Sequence, residues 1–197
     1  MKNYRIIGLT GQSGSGKSTA AAIMKNHGCA IIDADLLARR AVQKGSLCLE
    51  LISSVFGSDI LDENGELRRR ELARRAFASK ERTQMLNSIT HPFIISLLLD
   101  EIRKASLAGK SNIVFDAPML FESGCDILCD EIIAIIAPED VRIGRISKRD
   151  GLSESDIRLR LKNQHNEDFF RQKADHIIDG SMQLNDIDRC IKNILGI

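Results

Sequence analysis

Apolar residues along the chain fall into two kinds of run. Five runs are short, continuous and rich in β-branched residues, at 4–10, 29–33, 112–116, 131–137 and 176–179. Most do not alternate with polar positions, which predicts strands buried on both faces of a parallel sheet. Between them apolar positions recur at helical spacing, over 17–27, 47–56, 68–79, 93–108 and 184–195. Strand alternating with helix predicts an α/β fold: a five-stranded parallel sheet with helices on both faces.

Two stretches depart from simple alternation. Residues 34–111 read as several helices, too many for one crossover, so part of this stretch should stand off the sheet as a helical subdomain. Pro92 is expected to open the long helix there, because proline is tolerated in a first turn. After the fourth strand, Pro138 begins a second excursion that runs to Asn166 and carries Arg142, Arg145, Lys148, Arg149, Arg158, Arg160 and Lys162. A basic helical insert of this kind is a candidate lid. No internal repeat or low-complexity segment interrupts the pattern.

Composition narrows the classes. The 197 residues suit one domain with insertions, and 43% hydrophobic against 28% charged residues is ordinary for a globular chain. Lys plus Arg number 28 and Asp plus Glu 27, so net charge gives no reason to expect nucleic acid as a partner. Trp is absent and aromatics are 4%, which leaves little for base stacking. No apolar run approaches the roughly 20 residues of a spanning helix. The short run behind Lys2 and Arg5 opens into a glycine-rich loop, so neither a signal peptide nor a membrane partner is expected. Cys29, Cys48, Cys125, Cys129 and Cys190 are scattered and lack paired C-x-x-C spacing. They are expected to be small buried residues in a reducing cytoplasm.

The chemistry concentrates just after the first strand. Residues 11–18, from Gly11 to Ser18, satisfy G-x-x-x-x-G-K-[ST] at every required position, between an apolar strand and a helix. In such a loop the backbone N–H groups of Ser13, Gly14, Ser15, Gly16 and Thr19 turn towards phosphate, and the helix N-terminus adds favourable potential. Lys17 should bridge the β- and γ-phosphates of a nucleoside triphosphate, and Ser18 should ligate Mg²⁺. No N-K-x-D motif occurs, which weakens a guanine-nucleotide switch. The strand ending at Asp116 resembles one that holds Mg²⁺ through water, although an Asp at a strand end is also common turn chemistry.

A second acidic element follows the second strand. Asp33 and Asp35 fall just past its carboxyl end, where open α/β sheets bind ligands, with Arg39 four residues on from Asp35. This segment reads as an acceptor site. The alternative is that one carboxylate caps the next helix, a role assigned more readily to Asp35 than to Asp33. Near a γ-phosphate either carboxylate could accept a hydroxyl proton or order Mg²⁺.

These blocks together resemble the dephospho-coenzyme A kinase family over essentially the whole chain. The resemblance runs from Gly8-Leu9-Thr10-Gly11 through Asp33-Ala34-Asp35 with Arg39, His91-Pro92 and residues 116–122. It continues through Arg145, Arg149-Asp150-Gly151, Gln164 and residues 174–179. The resemblance implies a phosphate-loop-kinase core with a helical substrate subdomain and a helical lid. The implied boundaries are a core at 1–34, 111–138 and 167–197, a helical CoA-side insertion at 35–110 and a lid at 139–166. It also implies transfer of the ATP γ-phosphoryl group to the ribose 3′-hydroxyl of dephospho-CoA, with Mg²⁺ and no obligate protein partner. Asp33 then becomes the candidate base, with Lys17 and the lid arginines Arg145 and Arg149 over the phosphates. Asp35, Arg39, His91, Asp116, Pro118, Phe121 and Glu122 fall on the substrate side. Without the resemblance, Arg145 and Arg149 would be solvated helix charges and His91 a capping or packing residue. Two positions depart from the family pattern. Met119 replaces the usual Leu, and Gly180 stands where the family generally has Asn, which bears on how adenine is read.

Two other readings share parts of this pattern. Another phosphate-loop kinase for a nucleoside, nucleotide or small alcohol would use the same core and lid. A nucleotide-dependent switch would keep the loop without needing the Asp pair or the arginine-rich insert.

Overall fold

A computed structural model of the chain describes residues 3–197; Lys2 lies outside the described residues. The strands are β1 (Arg5–Gly11), β2 (Ala30–Asp33), β3 (Asn112–Asp116), β4 (Glu131–Ile136) and β5 (His176–Asp179). They form one sheet in the order β2-β3-β1-β4-β5, in which β1 pairs in parallel with both β3 and β4, and β4 with β5. Register sets Leu9 opposite Asp116 and Gly11 opposite Ile135. The carboxyl end of β1 is thereby flanked by Asp116 on one side and Ile135 on the other.

Between and after the strands run helices. The first four are α1 (Lys17–Asn26), α2 (Ala34–Ala41), α3 (Leu47–Phe56) and α4 (Arg69–Ala76), followed by α5 (Lys80–Leu107). After β4 come α6 (Glu139–Asp150), α7 (Glu154–Lys162) and α8 (Glu167–Lys173), and after β5 comes α9 (Leu184–Leu195). Alternate β4 residues show why the strand runs are continuous. Ile133 and Ile135 pack with Met24 of α1 and Ile187 and Ile191 of α9, while Ala134 and Ile136 pack with Phe170 of α8. With both faces occupied, every position of the run must be apolar, and each buried Ile contributes about 1.5–3 kcal/mol.

The chain divides into two compact units, Met1–Ile32 with Ala105–Ile197, and Asp33–Lys104. The second unit is helical and has its own core of Cys48, Ile52, Phe56, Ile60, Leu72 and Ala76. Pro92 does not open a helix there: it lies inside α5, which runs 28 residues. An interior proline costs about 3 kcal/mol through its missing N–H and its clash with the preceding turn. The stripe Leu86, Ile89, Phe93 and Leu97 packs against the unit's core and offsets that cost. Thr90 also donates its hydroxyl to the Leu86 carbonyl at 3.0 Å, in the turn just before the proline.

Charge fastens the second unit at one point. Arg75 donates to the Phe56 carbonyl at 2.6 Å and to Glu71 at 2.6 Å, and pairs with Asp59. The Arg75 hydrogen bond holds the Asp59 carboxyl down at about 2. Arg74, then Arg75, hold Glu71 down at about 2. Both values lie below those of an unfolded carboxylate, roughly 4. Their stabilisation is therefore present above the unfolded value and lost as pH falls from about 4.5 towards 2. Arg75→Gln should lower the urea-unfolding free energy at pH 6 and flatten its decline between pH 5 and pH 2. Parallel profiles for the two proteins, followed by circular dichroism, would contradict this.

Candidate active site

The loop from Gly11 to Lys17 is shaped by backbone that tolerates no side chain. Gly11 has φ +146°, and a β-carbon there would lie 2.2 Å from the Ile135 carbonyl oxygen. Gly16 caps α1 in the left-handed conformation at φ 108°. The first helical residues, Lys17, Ser18 and Thr19, follow directly, with Ser18 and Thr19 exposed. Thr19 N–H donates to the Gly16 carbonyl at 3.0 Å, while the N–H groups at the start of a helix favour an anion.

Lys17 pairs with Asp116 at the end of β3, both side chains being mostly buried. The connection after β3 is docked on β1: Ala117 N–H donates to the Leu9 carbonyl at 3.0 Å, and Thr10 Oγ1 donates to the Pro118 carbonyl at 3.3 Å. Ser13 N–H donates to Gln164 Oε1 at 3.1 Å, which ties the loop to the end of α7. The Ser15 hydroxyl is fully buried with no hydrogen-bond partner.

Arg145 of α6 spans the loop from outside. Its guanidinium donates to the carbonyls of Gly14 at 3.3 Å, Ser15 at 3.0 Å and Gly180 at 2.8 Å. The helices α6 and α7 are held to each other by Ile143, Ile146, Ile157 and Leu161. Arg149, one turn beyond Arg145, turns to its neighbour Asp150, to which it donates at 2.7 and 2.8 Å. That pair raises the Arg149 pKa and holds the Asp150 carboxyl below its ordinary value.

Phe121 does not stand in an open pocket: it lies edge-on to Phe169 at 5.4 Å and near Phe170 at 6.3 Å. His165 stacks on Phe169 with ring centroids 3.6 Å apart and planes within 7°, and its Nε2 lies 3.4 Å from Glu122. Met119 is exposed, so its replacement of Leu disturbs no core.

The remaining expected site residues belong to the second unit. The capping role falls to Asp33, not Asp35: Asp33 Oδ1 accepts from Leu36 N–H at 3.0 Å. The residue that ends a strand has the extended backbone an N-cap requires, whereas Asp35 is already within the helix's first turn. Asp35 and Arg39 are exposed, and Arg40 pairs with Glu101 at 2.9 Å. His91 of α5 lines a cavity of ≈ 330 Å³ together with Arg69, Asn87, Thr90 and apolar side chains.

Sequence reasoning missed three features of the site. Asp116 as the counter-ion of Lys17 could have been read from the parallel register of β1 and β3. The carbonyl bonds of Arg145 and the link from Gln164 to Ser13 had no local signal, because they join segments 35 to 151 residues apart.

A phosphate loop at the end of a central parallel strand, a lysine held beside a strand-end carboxylate and a basic helical pair define a nucleotide-dependent phosphotransferase of the phosphate-loop kinase class. The dephospho-CoA kinase family model matches residues 5–186, and the chain belongs to that family. A dephospho-CoA kinase of Corynebacterium diphtheriae is 44% identical over 190 residues, covering 96% of this chain and 95% of its own. A Thermus thermophilus protein of known structure superposes with TM-score 0.85 at 32% identity, covering 98% and 97%. A dephospho-CoA kinase from Campylobacter jejuni superposes with TM-score 0.71 at 29% identity, covering 100% and 96%.

Gly180 offers a direct test of the packing around the loop. A β-carbon there would lie 1.9 Å from the Ser15 carbonyl oxygen and 2.9 Å from Ile135. Gly180→Ala should therefore displace the loop, cost about 1–3 kcal/mol of stability and weaken binding of a non-hydrolysable ATP analogue. Unchanged melting and unchanged affinity would refute that tight contact.

Proposed function

We propose that the protein transfers the γ-phosphoryl group of ATP to the 3′-hydroxyl of the dephospho-CoA ribose, giving coenzyme A and ADP. The observation that carries this reading is the phosphate loop with its Lys17–Asp116 pair in a chain of this family. In the reaction the acceptor O–H bond breaks and a new O–P bond forms. The bond from γ-phosphorus to the bridging oxygen breaks, leaving its electron pair on ADP. The transition state spreads negative charge over the transferred group, so catalysis is mostly positioning and charge stabilisation.

Roles follow from the side chains present. The loop from Ser13 to Thr19, with Gly14 and Gly16, binds the nucleotide phosphates, the N–H groups of Ser13, Ser15 and Thr19 exchanging Gln164, Gln12 and Gly16 for phosphate oxygens, and Lys17 neutralises the β- and γ-oxygens. Arg145 and Arg149 act from the lid at 139–166. Arg149 is the more available, since its partner Asp150 is an exposed neighbour and such a pair contributes little. Asp33 uses one carboxylate oxygen for its cap and has the other for the acceptor proton. Asp35, Arg39 and His91, with Pro118, Phe121 and Glu122, serve the substrate side, and the cavity beside His91 has the mixed polar and apolar lining an extended acceptor needs.

Mg²⁺ fits the donors present. Among the described residues no group of three or more His, Cys, Asp or Glu could hold a metal, so a cage made by protein alone is not available. Exposed Ser18 and the carboxylate Asp116 supply one oxygen ligand each, which suits a cation that keeps several waters and binds mainly through phosphates. When bound there, Mg²⁺ would neutralise charge on the β- and γ-phosphates. All five cysteines are free, which fits the reading of a reducing cytoplasm. Among the described residues no helix is long and apolar enough to cross a membrane.

The acceptor is tested by ADP formation with dephospho-CoA against adenosine, AMP and shikimate; turnover confined to another acceptor would overturn the assignment. In the same assay Lys17→Ala should abolish measurable transfer with its circular dichroism unchanged, and activity within tenfold of wild type would remove Lys17 from its role. Asp33→Asn should cut kcat by about 10²–10⁴ with little change in acceptor KM. Because Asn caps as well as Asp, its stability should match wild type, so a silent substitution would reduce Asp33 to its cap.

A further inference from the structure

A cavity of ≈ 290 Å³ lies at the root of the lid, lined among others by Gln12, Glu139, Arg142, Arg158, Lys162 and His165. Its floor holds a cation without a counter-ion. Arg142 is 7% exposed, and its Nε donates to the Ala137 carbonyl at 3.1 Å. Its two terminal nitrogens have no partner among the described residues, and no carboxylate stands at ion-pair distance. Glu139 and Glu167 act on it only through space, and both are committed elsewhere, to Arg158 at 2.6 Å and Arg171 at 2.6 Å. Burial pulls the Arg142 pKa down, yet a guanidinium stays charged under any ordinary condition. A buried charge is normally paired, because leaving water uncompensated is costly.

A second lining residue is also unsatisfied. Gln12 is 6% exposed, and its Oε1 is buried without a partner. Lys162, exposed at the rim, makes no ion pair among the described residues. Gln12 N–H donates to the Ile135 carbonyl at 3.3 Å, beside β4. The Lys17–Asp116 pair lies on the β3 side. The cavity's lining includes neither Lys17 nor Asp116, nor any loop residue from Ser13 to Ser18.

We propose that this cavity is a second anion site, which takes a phosphate-class oxyanion bearing a hydroxyl. Two guanidinium nitrogens in a fixed fork match two oxyanion oxygens, and Lys162 adds charge at the entrance. The unpaired Gln12 oxygen accepts from the anion's own P–O–H, which monohydrogen phosphate and a protonated phosphomonoester both offer. Occupancy ties α6 and α7 to residue 12 of the phosphate loop, on which nucleotide binding depends.

The test uses the full chain saturated with Mg²⁺ and a non-hydrolysable ATP analogue, so that the phosphate cradle is already filled. Inorganic phosphate titrated by calorimetry should bind at one further site. Arg142→Gln should weaken it about 10- to 100-fold, the loss expected for a charge-assisted bond of 1.5–3 kcal/mol. Lys162→Ala, an exposed change that cannot threaten folding, should weaken it by up to about fivefold. Sulfate, which carries no hydroxyl near neutral pH, should bind more weakly than phosphate, and phosphate-monoester binding beyond that of the free ion would identify the monoester as the source. No further phosphate site in the loaded protein, equal binding by Arg142→Gln, or equal affinity for sulfate would each overturn the proposal. None of these readouts depends on turnover, so the failure of the kinase reading would be seen separately, in the acceptor assay.

Discussion

At the carboxyl end of β1, main chain is packed against main chain with no room for a side chain. Gly11 meets the Ile135 backbone, and Gly180 meets the Ser15 carbonyl. These contacts bring the loop, the end of β4 and the turn after β5 close enough for one guanidinium to bridge them. Arg145 reaches carbonyls on two of those segments and so carries the α6–α7 pair down onto the loop. Without that crowding the phosphate-binding N–H groups would have no fixed direction. Their orientation must exist before a phosphate arrives if electrostatic stabilisation is to cost no reorganisation during transfer.

Charge around this crowded point is unevenly compensated. Lys17 has a carboxylate partner, Arg145 has three carbonyls, and Arg142 has one carbonyl and a cavity. The graded pairing separates structural cations from cations that can still meet an anion. Arg145 has committed its hydrogen bonds to shaping the loop. Arg149, exposed and held only by its neighbour, is free to exchange partners at little cost.

Much of the architecture was legible because buried parallel strands leave a strong pattern. The run of residues 131–137 predicts β4 to within one residue, and 112–116 predicts β3 outright, since both faces of each strand must be apolar. The loop was equally legible, its spacing being dictated by the size of a phosphate. Two local rules failed where tertiary packing outweighed propensity. Pro92 sits within α5 because the half-buried Leu86 to Leu97 stripe packs against the unit's core on either side of it, and Asp33 took the cap because β2 ends there. The pairings of Arg145 and of Gln164 were invisible, since nothing in a linear sequence records which carbonyl a distant side chain will meet.

The stack of His165 on Phe169 gives this region a built-in spectroscopic reporter. With ring centroids 3.6 Å apart and nearly parallel planes, the imidazole protons lie in the shielding cone of the phenyl ring. The chain has four histidines and no tryptophan, so few aromatic resonances compete. The His165 carbon-bound protons should therefore stand upfield of the other three. Their position would follow any parting of the two rings at the junction of α7 and α8, without a label or a substitution.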